Sequence, residues 1–164
     1  MKLTKMLWLA VFLIPFAMHS QQIADHALGL RLGDSDGFGA EISYQKRLGQ
    51  FTRMEADLGW RDSREYDAFK LSGNFQWVRH LDGSFNWFYG VGGNIGSVDF
   101  EQGVTDDDGG LFIAAAGTLG IEYDFEIPLL ISFDIRPEIG ILGYDGFDDN
   151  FDFDIAIGIR YQFQ

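Results

Sequence analysis

The side chains that could do chemistry in this sequence are mostly carboxylates, and few of their usual co-workers accompany them. Of 164 residues, 25 are Asp or Glu, 12 are Lys or Arg, 3 are His and none is Cys, a formal charge of −13. Without Cys there is no thiol nucleophile, thiolate metal site or disulfide. Nucleic acid is excluded as a partner, because phosphate contact needs a basic surface. Asp34-Ser35-Asp36-Gly37 and Asp106-Asp107-Asp108-Gly109-Gly110 have the oxygen-rich, glycine-flexed composition that hard cations favour. Neither matches the twelve-residue calcium loop. The expectation is therefore no tightly held cofactor, with calcium or magnesium loosely bound at Asp106, Asp107 and Asp108, and a merely solvated acidic surface as the alternative. The glycine-rich stretch from Gly90 to Gly96 is not a phosphate loop, since no helical pattern follows it.

The elements that must position these groups begin after an address. Met1 to Lys5 carries two lysines, Met6 to Met18 is an apolar run of 13 residues, and His19-Ser20-Gln21-Gln22 is short and polar. That order reads as a secretory signal peptide over residues 1–20, cut after Ser20, ahead of one domain over residues 21–164. The run is too short to span a bilayer as a helix, which takes about 20 residues. Removing it leaves 10 basic against 25 acidic residues and no apolar stretch of helix-spanning length.

Along the rest of the chain apolar residues recur with period two, broken by Gly/Asp/Asn clusters, which predicts strands and turns. Eight segments follow the pattern: 24–33, 38–48, 52–61, 67–78, 85–97, 111–123, 129–139 and 151–163. One face carries Leu28, Leu30 and Leu32, or Ile155, Ile157 and Ile159; the other carries Gly, Ala, Ser and charges. Alternation alone does not say which face is inside. Segments of about 10 to 13 residues are long enough to cross a bilayer when tilted. Short connections near 48–51, 79–84 and 124–128 alternate with others, two of them long. Aromatics gather near strand ends, with Trp60, Phe69, Phe151 and Phe153 at one rim. Tyr44, Trp77, Phe85, Trp87, Tyr123, Tyr161 and Phe163 mark the other, as in the interfacial girdles of a membrane barrel. The predicted fold is all-β, an eight-stranded antiparallel up-and-down transmembrane β-barrel preceded by a signal peptide. A secreted soluble β-barrel binding a hydrophobic ligand is the alternative.

On these residues the chain resembles, over essentially its whole mature length, the small eight-stranded outer-membrane β-barrels of Gram-negative bacteria, the porin-like OmpX and OmpA-transmembrane type. The last strand, Ile155 to Phe163, is similar to the C-terminal signal read by the barrel assembly machinery: alternating apolar residues ending on an aromatic, here Tyr161 and Phe163, with Gln164 following. Ile127-Pro128-Leu129 through Arg136-Pro137-Glu138 also resembles a recurring hairpin of these families. The resemblance implies an outer-membrane monomer with periplasmic termini, embedded in lipid and lipopolysaccharide. It also implies a role in adhesion, envelope stability or defence, toward an extracellular partner the sequence does not name.

Charge placement then carries the functional reading. Seven basic residues are expected inside (Arg31, Arg47, Arg53, Arg61, Lys70, Arg136, Arg160) against eight acids (Asp25, Glu41, Glu55, Asp57, Glu122, Asp134, Glu138, Asp154). Unpaired buried charge is expensive, so mutual pairing is expected. Strand height groups Arg31, Glu41, Asp154 and Arg136 at one level, and Asp25, Arg47, Arg53, Glu55 and Arg160 at a second. The expected role is a scaffold with a charge-plugged lumen; a narrow pore for small solutes or ions is the alternative. Fourteen acids against Arg64 crowd the opposite connections, reading as an extracellular interaction surface. An enzyme is not expected. Outer-membrane acyl-transfer barrels work with a His near the outer rim, and the only mature histidines, His26 and His80, fall at the other end.

Overall fold

The computed structural model describes residues 23–33, 39–62, 66–100, 110–143 and 151–164. The leader over 1–20 and the cation candidates Asp106, Asp107 and Asp108 lie outside the described residues. Eight strands follow in order: β1 (His26–Gly33), β2 (Ala40–Arg47), β3 (Thr52–Asp62), β4 (Tyr66–Asp82), β5 (Phe85–Phe100), β6 (Gly110–Asp124), β7 (Leu129–Leu142) and β8 (Phe151–Phe163). Each pairs antiparallel with the next, and β8 returns to β1 to close the barrel. Closure leaves no unpaired sheet edge, a requirement for any strand structure in hydrocarbon. The end carrying Ile23, Gln164 and the short turns is here the turn end; the opposite end is the loop end.

All eight segments expected from alternation form strands, with shifted limits. β4 runs four residues past Val78 because its hairpin to β5 closes through only Gly83 and Ser84. Gly83 adopts φ +55°, the left-handed backbone a two-residue hairpin needs and one that side chains resist. His80 is accordingly a strand residue paired with Asn86, not part of the turn. β4 to β7 hold 14 to 17 residues, while β1 and β2 hold eight, so one wall is taller than the other.

The pattern of exposure is inverted relative to a protein that folds in water. Arg31, Arg53, Arg136 and Arg160 are at most 1% exposed, whereas Val91, Ile139 and Tyr161 are more than half exposed. Apolar surface left in water costs about 25 cal/mol per Å², so a continuous outer belt of Leu, Ile, Phe and Trp suits hydrocarbon instead. The aromatic positions at the turn end touch in series. Phe75, Trp77, Tyr89 and Trp87 form one run with centroids 4.8 to 5.4 Å apart. Phe85, Tyr123 and Phe125 form another at 4.7 and 4.5 Å. At the loop end Trp60 pairs across strands with Phe69, and both are exposed.

Apolar side chains also fill part of the inside. Phe112 packs with Ala68, Val98 and Ala114, and Phe88, Val78 and Leu130 are buried farther toward the turn end. Space for the two rings comes from glycine. A Cβ on Gly96 would stand 2.6 Å from Phe112 Cζ, and one on Gly120 would overlap the ring of Phe88.

Candidate functional site

The candidate site is the charged interior, and strand pleating alone explains why these residues reach it. Arg31, Glu41, Glu55, Asp57, Lys70, Asp134, Arg136, Glu138, Asp154 and Arg160 all lie on the inward parity of their strands and are fully buried. Arg31 occupies the centre of one group. Its Nη1 is 2.9 Å from Glu41 Oε2 and also binds Asp154 Oδ2, while Nη2 is 2.7 Å from Asp134 Oδ1. Four strands are joined through this one guanidinium: β1, β2, β7 and β8.

Arg136 does not join Glu41 and Asp154 as strand height suggested. Its Nη1 meets Asp57 Oδ2 at 2.9 Å and its Nη2 meets Glu55 Oε1 at 2.8 Å, with Asp134 Oδ1 at 3.9 Å linking it back to Arg31. Arg160 continues the chain. Its Nη2 stands 3.1 Å from Glu55 Oε2, and its Nε and Nη1 donate to the hydroxyls of Ser43 and Ser132 at 2.9 and 2.8 Å. The Gln45 amide also donates to Glu55. Three guanidiniums therefore face five carboxylates in one connected network. Glu41 Oε1, Asp57 Oδ1 and Asp154 Oδ1 are left without a hydrogen-bonding partner.

Of the second expected level, Glu55 and Arg160 stay paired within this network, while the other three residues form two separate units and Lys70 with Glu138 makes a further pair. Asp25 pairs with Arg47 at the partly exposed mouth of the turn end. Arg53 leaves Glu55 to others: its Nη2 is 2.7 Å from Glu122 Oε2, its Nε donates to Gln76 Oε1 at 2.7 Å, and its guanidinium lies 4.8 Å over the Phe88 ring. Toward the loop end, Lys70 Nζ sits 2.9 Å from Glu138 Oε1. Phe88 and Phe112 were not anticipated as interior residues. Phe88 lies within Phe85-Asn86-Trp87-Phe88-Tyr89, where consecutive aromatics hide the period-two signal.

Tyr161 and Phe163, the expected assembly signal, lie on the outer face of β8 with rings 6.4 Å apart. Phe163 also stacks on His26 across the closing β1–β8 seam, at 5.3 Å. Both His26 and His80 are at the turn end, remote from the acidic connections. Among the described residues no cluster of His, Asp and Glu has the arrangement of a metal site, and no helix is long and apolar enough to cross a membrane.

No protein-family model matches the chain, and no curated protein matches it. Solved structures do. The N-terminal β-barrel domain of Pseudomonas aeruginosa OprF superposes with a TM-score of 0.64 at 10% identity, covering 84% of this chain and 95% of that one. Neisserial surface protein A gives a TM-score of 0.60 at 14% identity, with coverage of 85% and 94%. A de novo designed transmembrane β-barrel gives 0.58 at 14% identity, with coverage of 87% and 98%. At such identities the likeness concerns the fold: this chain has the architecture of the small eight-stranded outer-membrane β-barrels.

Proposed function

We propose that the chain is an integral outer-membrane scaffold, monomeric and non-enzymatic, with its lumen closed by charge pairs and its acidic connections presented outside the cell as an interaction surface. The observation that carries this reading is the seat of Arg31, whose guanidinium engages carboxylates from three other strands across the interior. An interior crossed by such ties, with Phe88 and Phe112 packed above glycines, leaves little room for solute. The shared architecture with outer-membrane barrels supports the location. The fold itself carries no particular task, as its occurrence in a designed protein illustrates.

In this reading the turn end and both termini are periplasmic, the leader is removed on export, and Tyr161 and Phe163 are read by the barrel assembly machinery. The loop end faces lipopolysaccharide. There Asp62 is the register partner of Asp67, and Asp67 of Asp99, three acids in line across adjacent strands. Loosely bound calcium or magnesium at Asp106, Asp107 and Asp108 is the cation reading of the acidic connections, because hard cations favour carboxylate oxygens, and a solvated surface is its alternative.

Refolding from denaturant into detergent tests the reading. Heat-modifiable migration on a gel and a β-type circular dichroism spectrum are expected. Helical dichroism, or quantitative recovery in buffer without detergent, would overturn it. One observation favours the second reading, a narrow pore for small solutes or ions. Both amide atoms of Asn94, Nδ2 of Asn74 and Oγ of Ser72, neighbours on β4 and β5, are buried without a protein partner, a line of polar atoms that water would satisfy.

A further inference from the structure

The buried charges of the interior do not balance, and the imbalance falls on particular atoms. Among the described residues, five cations and seven carboxylates are fully enclosed. Arg53 with Glu122 and Lys70 with Glu138 account for two of each. Arg31, Arg136 and Arg160 are left against Glu41, Glu55, Asp57, Asp134 and Asp154, with two negative charges in excess. Inside a barrel walled by hydrocarbon, charge without a counter-charge is far more costly than the same charge in water.

The five acids are not equally provided for. Glu55 meets Arg136, Arg160 and the Gln45 amide, and Asp134 is held by both Nε and Nη2 of Arg31 with Arg136 at 3.9 Å. Asp154 meets Arg31 and has Arg136 directly opposite in the β7–β8 register. Glu41 and Asp57 each meet a single guanidinium through a single oxygen: Glu41 Oε2 is 2.9 Å from Arg31 Nη1, and Asp57 Oδ2 is 2.9 Å from Arg136 Nη1. Their other oxygens, Glu41 Oε1 and Asp57 Oδ1, are enclosed without a hydrogen-bonding partner. The two acids are also neighbours. Glu41 is the register partner of Gly59, and Asp57 lies two positions from Gly59 on the same inward face. The charged groups bearing on Glu41 are Arg31 on β1, Asp57 on β3, Lys70 on β4 and Arg136 on β7, with Asp154 of β8 sharing its Arg31 nitrogen. Those bearing on Asp57 are Glu55 of its own strand, Arg136 and Arg160. Its register partners on β2 and β4, Ser43 and Ser72, are neutral, and Ser72 Oγ is an enclosed acceptor without a partner of its own.

We infer that Glu41 and Asp57 form a proton-binding site in the lumen, each held at neutral pH as a carboxylic acid with its proton on the orphaned oxygen. The two protons cancel the two excess charges. Each acid keeps accepting from its arginine through the other oxygen, so no contact of the network is lost. The inference rests on the closed, membrane-spanning lumen proposed above and adds to it the protonation state on which closure depends. Both carboxyls are ionised in the unfolded chain above about pH 5, so folding takes two protons from the solvent and unfolding returns them. The folded state then binds more protons than the unfolded one, and the barrel loses stability as pH rises from about 5 until the two acids ionise in place.

Urea unfolding in lipid, followed from about pH 6 to about pH 7, counts these protons, because each proton released raises the unfolding constant about tenfold per pH unit. Glu41→Gln with Asp57→Asn copies the neutral acids in shape and charge. Over that pH unit the unfolding constant of the wild type is expected to rise about a hundredfold more than that of the double variant. His26 and His80 are common to both proteins and drop out of the difference. The double variant is expected to fold, and at pH 7 to unfold no more readily than wild type. Glu55→Gln, which removes an acid shared by two arginines, is expected to raise the unfolding constant about tenfold or more. Infrared spectra of the folded wild type at pH 7, minus those of the double variant, are expected to show the carbonyl stretch of protonated carboxyl groups. Equal pH slopes, absence of that band, a double variant that no longer folds, or equal tolerance of Glu55→Gln each overturns the site while leaving the barrel reading intact. Wild-type stability that depends on potassium over choline at equal ionic strength would assign the excess charge to a bound cation and overturn it as well. Failure of the wild type to insert into lipid contradicts the barrel reading itself.

Discussion

Arg31 and Asp134 belong to strands that share no hydrogen-bonded edge, yet Nη2 of Arg31 stands 2.7 Å from Oδ1 of Asp134 and Nε donates to the same oxygen at 3.1 Å. The pair is a strut across the interior from β1 to β7. Its other contacts, to Glu41 and Asp154, make Arg31 the shared counter-charge of three buried acids.

Arg31→Ala is therefore expected to lower unfolding stability in detergent or lipid by about 3 to 5 kcal/mol, because three carboxylates lose their cation in a dry site. Water reaching the cluster would reduce the loss. Urea titration followed by tryptophan fluorescence measures it, and a loss below about 1 kcal/mol would show that Arg31 is not a structural tie.

Phe88 and Gly120 form a second, apolar relationship, since any Cβ at residue 120 overlaps the ring. Gly120→Val is expected to destabilise by about 1 to 3 kcal/mol through overpacking, and Phe88→Ala in the same chain to recover part of that loss. Additive effects in the double-mutant cycle would mean that the ring and the glycine do not meet.

The strand plan was legible because period-two alternation survives in every segment: Leu28, Leu30 and Leu32 point out while Ala27 and Arg31 point in. Partner choice was not legible. A closed barrel staggers its strands, so residues at equal counts from a turn do not face one another across the lumen. Arg53 thus reaches Glu122 and Gln76, while Glu55, two residues away on its own strand, is taken by Arg136 and Arg160. Phe112, between Leu111 and Ile113, was hidden for the same reason as Phe88: where neighbours on both faces are apolar, composition does not reveal direction.

Assembly depends, in this account, on the aromatic end of β8. Tyr161→Ala with Phe163→Ala removes the outer face of the β1–β8 seam, including the stack on His26. Outer-membrane levels in cells are expected to fall severalfold, read by quantitative blotting of membrane fractions against a folded standard. Unchanged levels would contradict the assembly role.

The cation reading of the acidic rim is checked by calorimetry. Calcium titrated into wild type should give heat above an ionic-strength control, and Asp106→Asn, Asp107→Asn and Asp108→Asn together should reduce it. Absence of heat in both would return these residues to a solvated surface.

The most direct test of the closed lumen is ionic current through the refolded, heat-modifiable wild-type barrel in a planar bilayer. The ties through Arg31, Arg136 and Arg160, with Phe88 and Phe112 also buried in the interior, predict a baseline without a steady open level. A large, sustained conductance that scales with the number of inserted barrels would contradict the account and identify the interior as a channel.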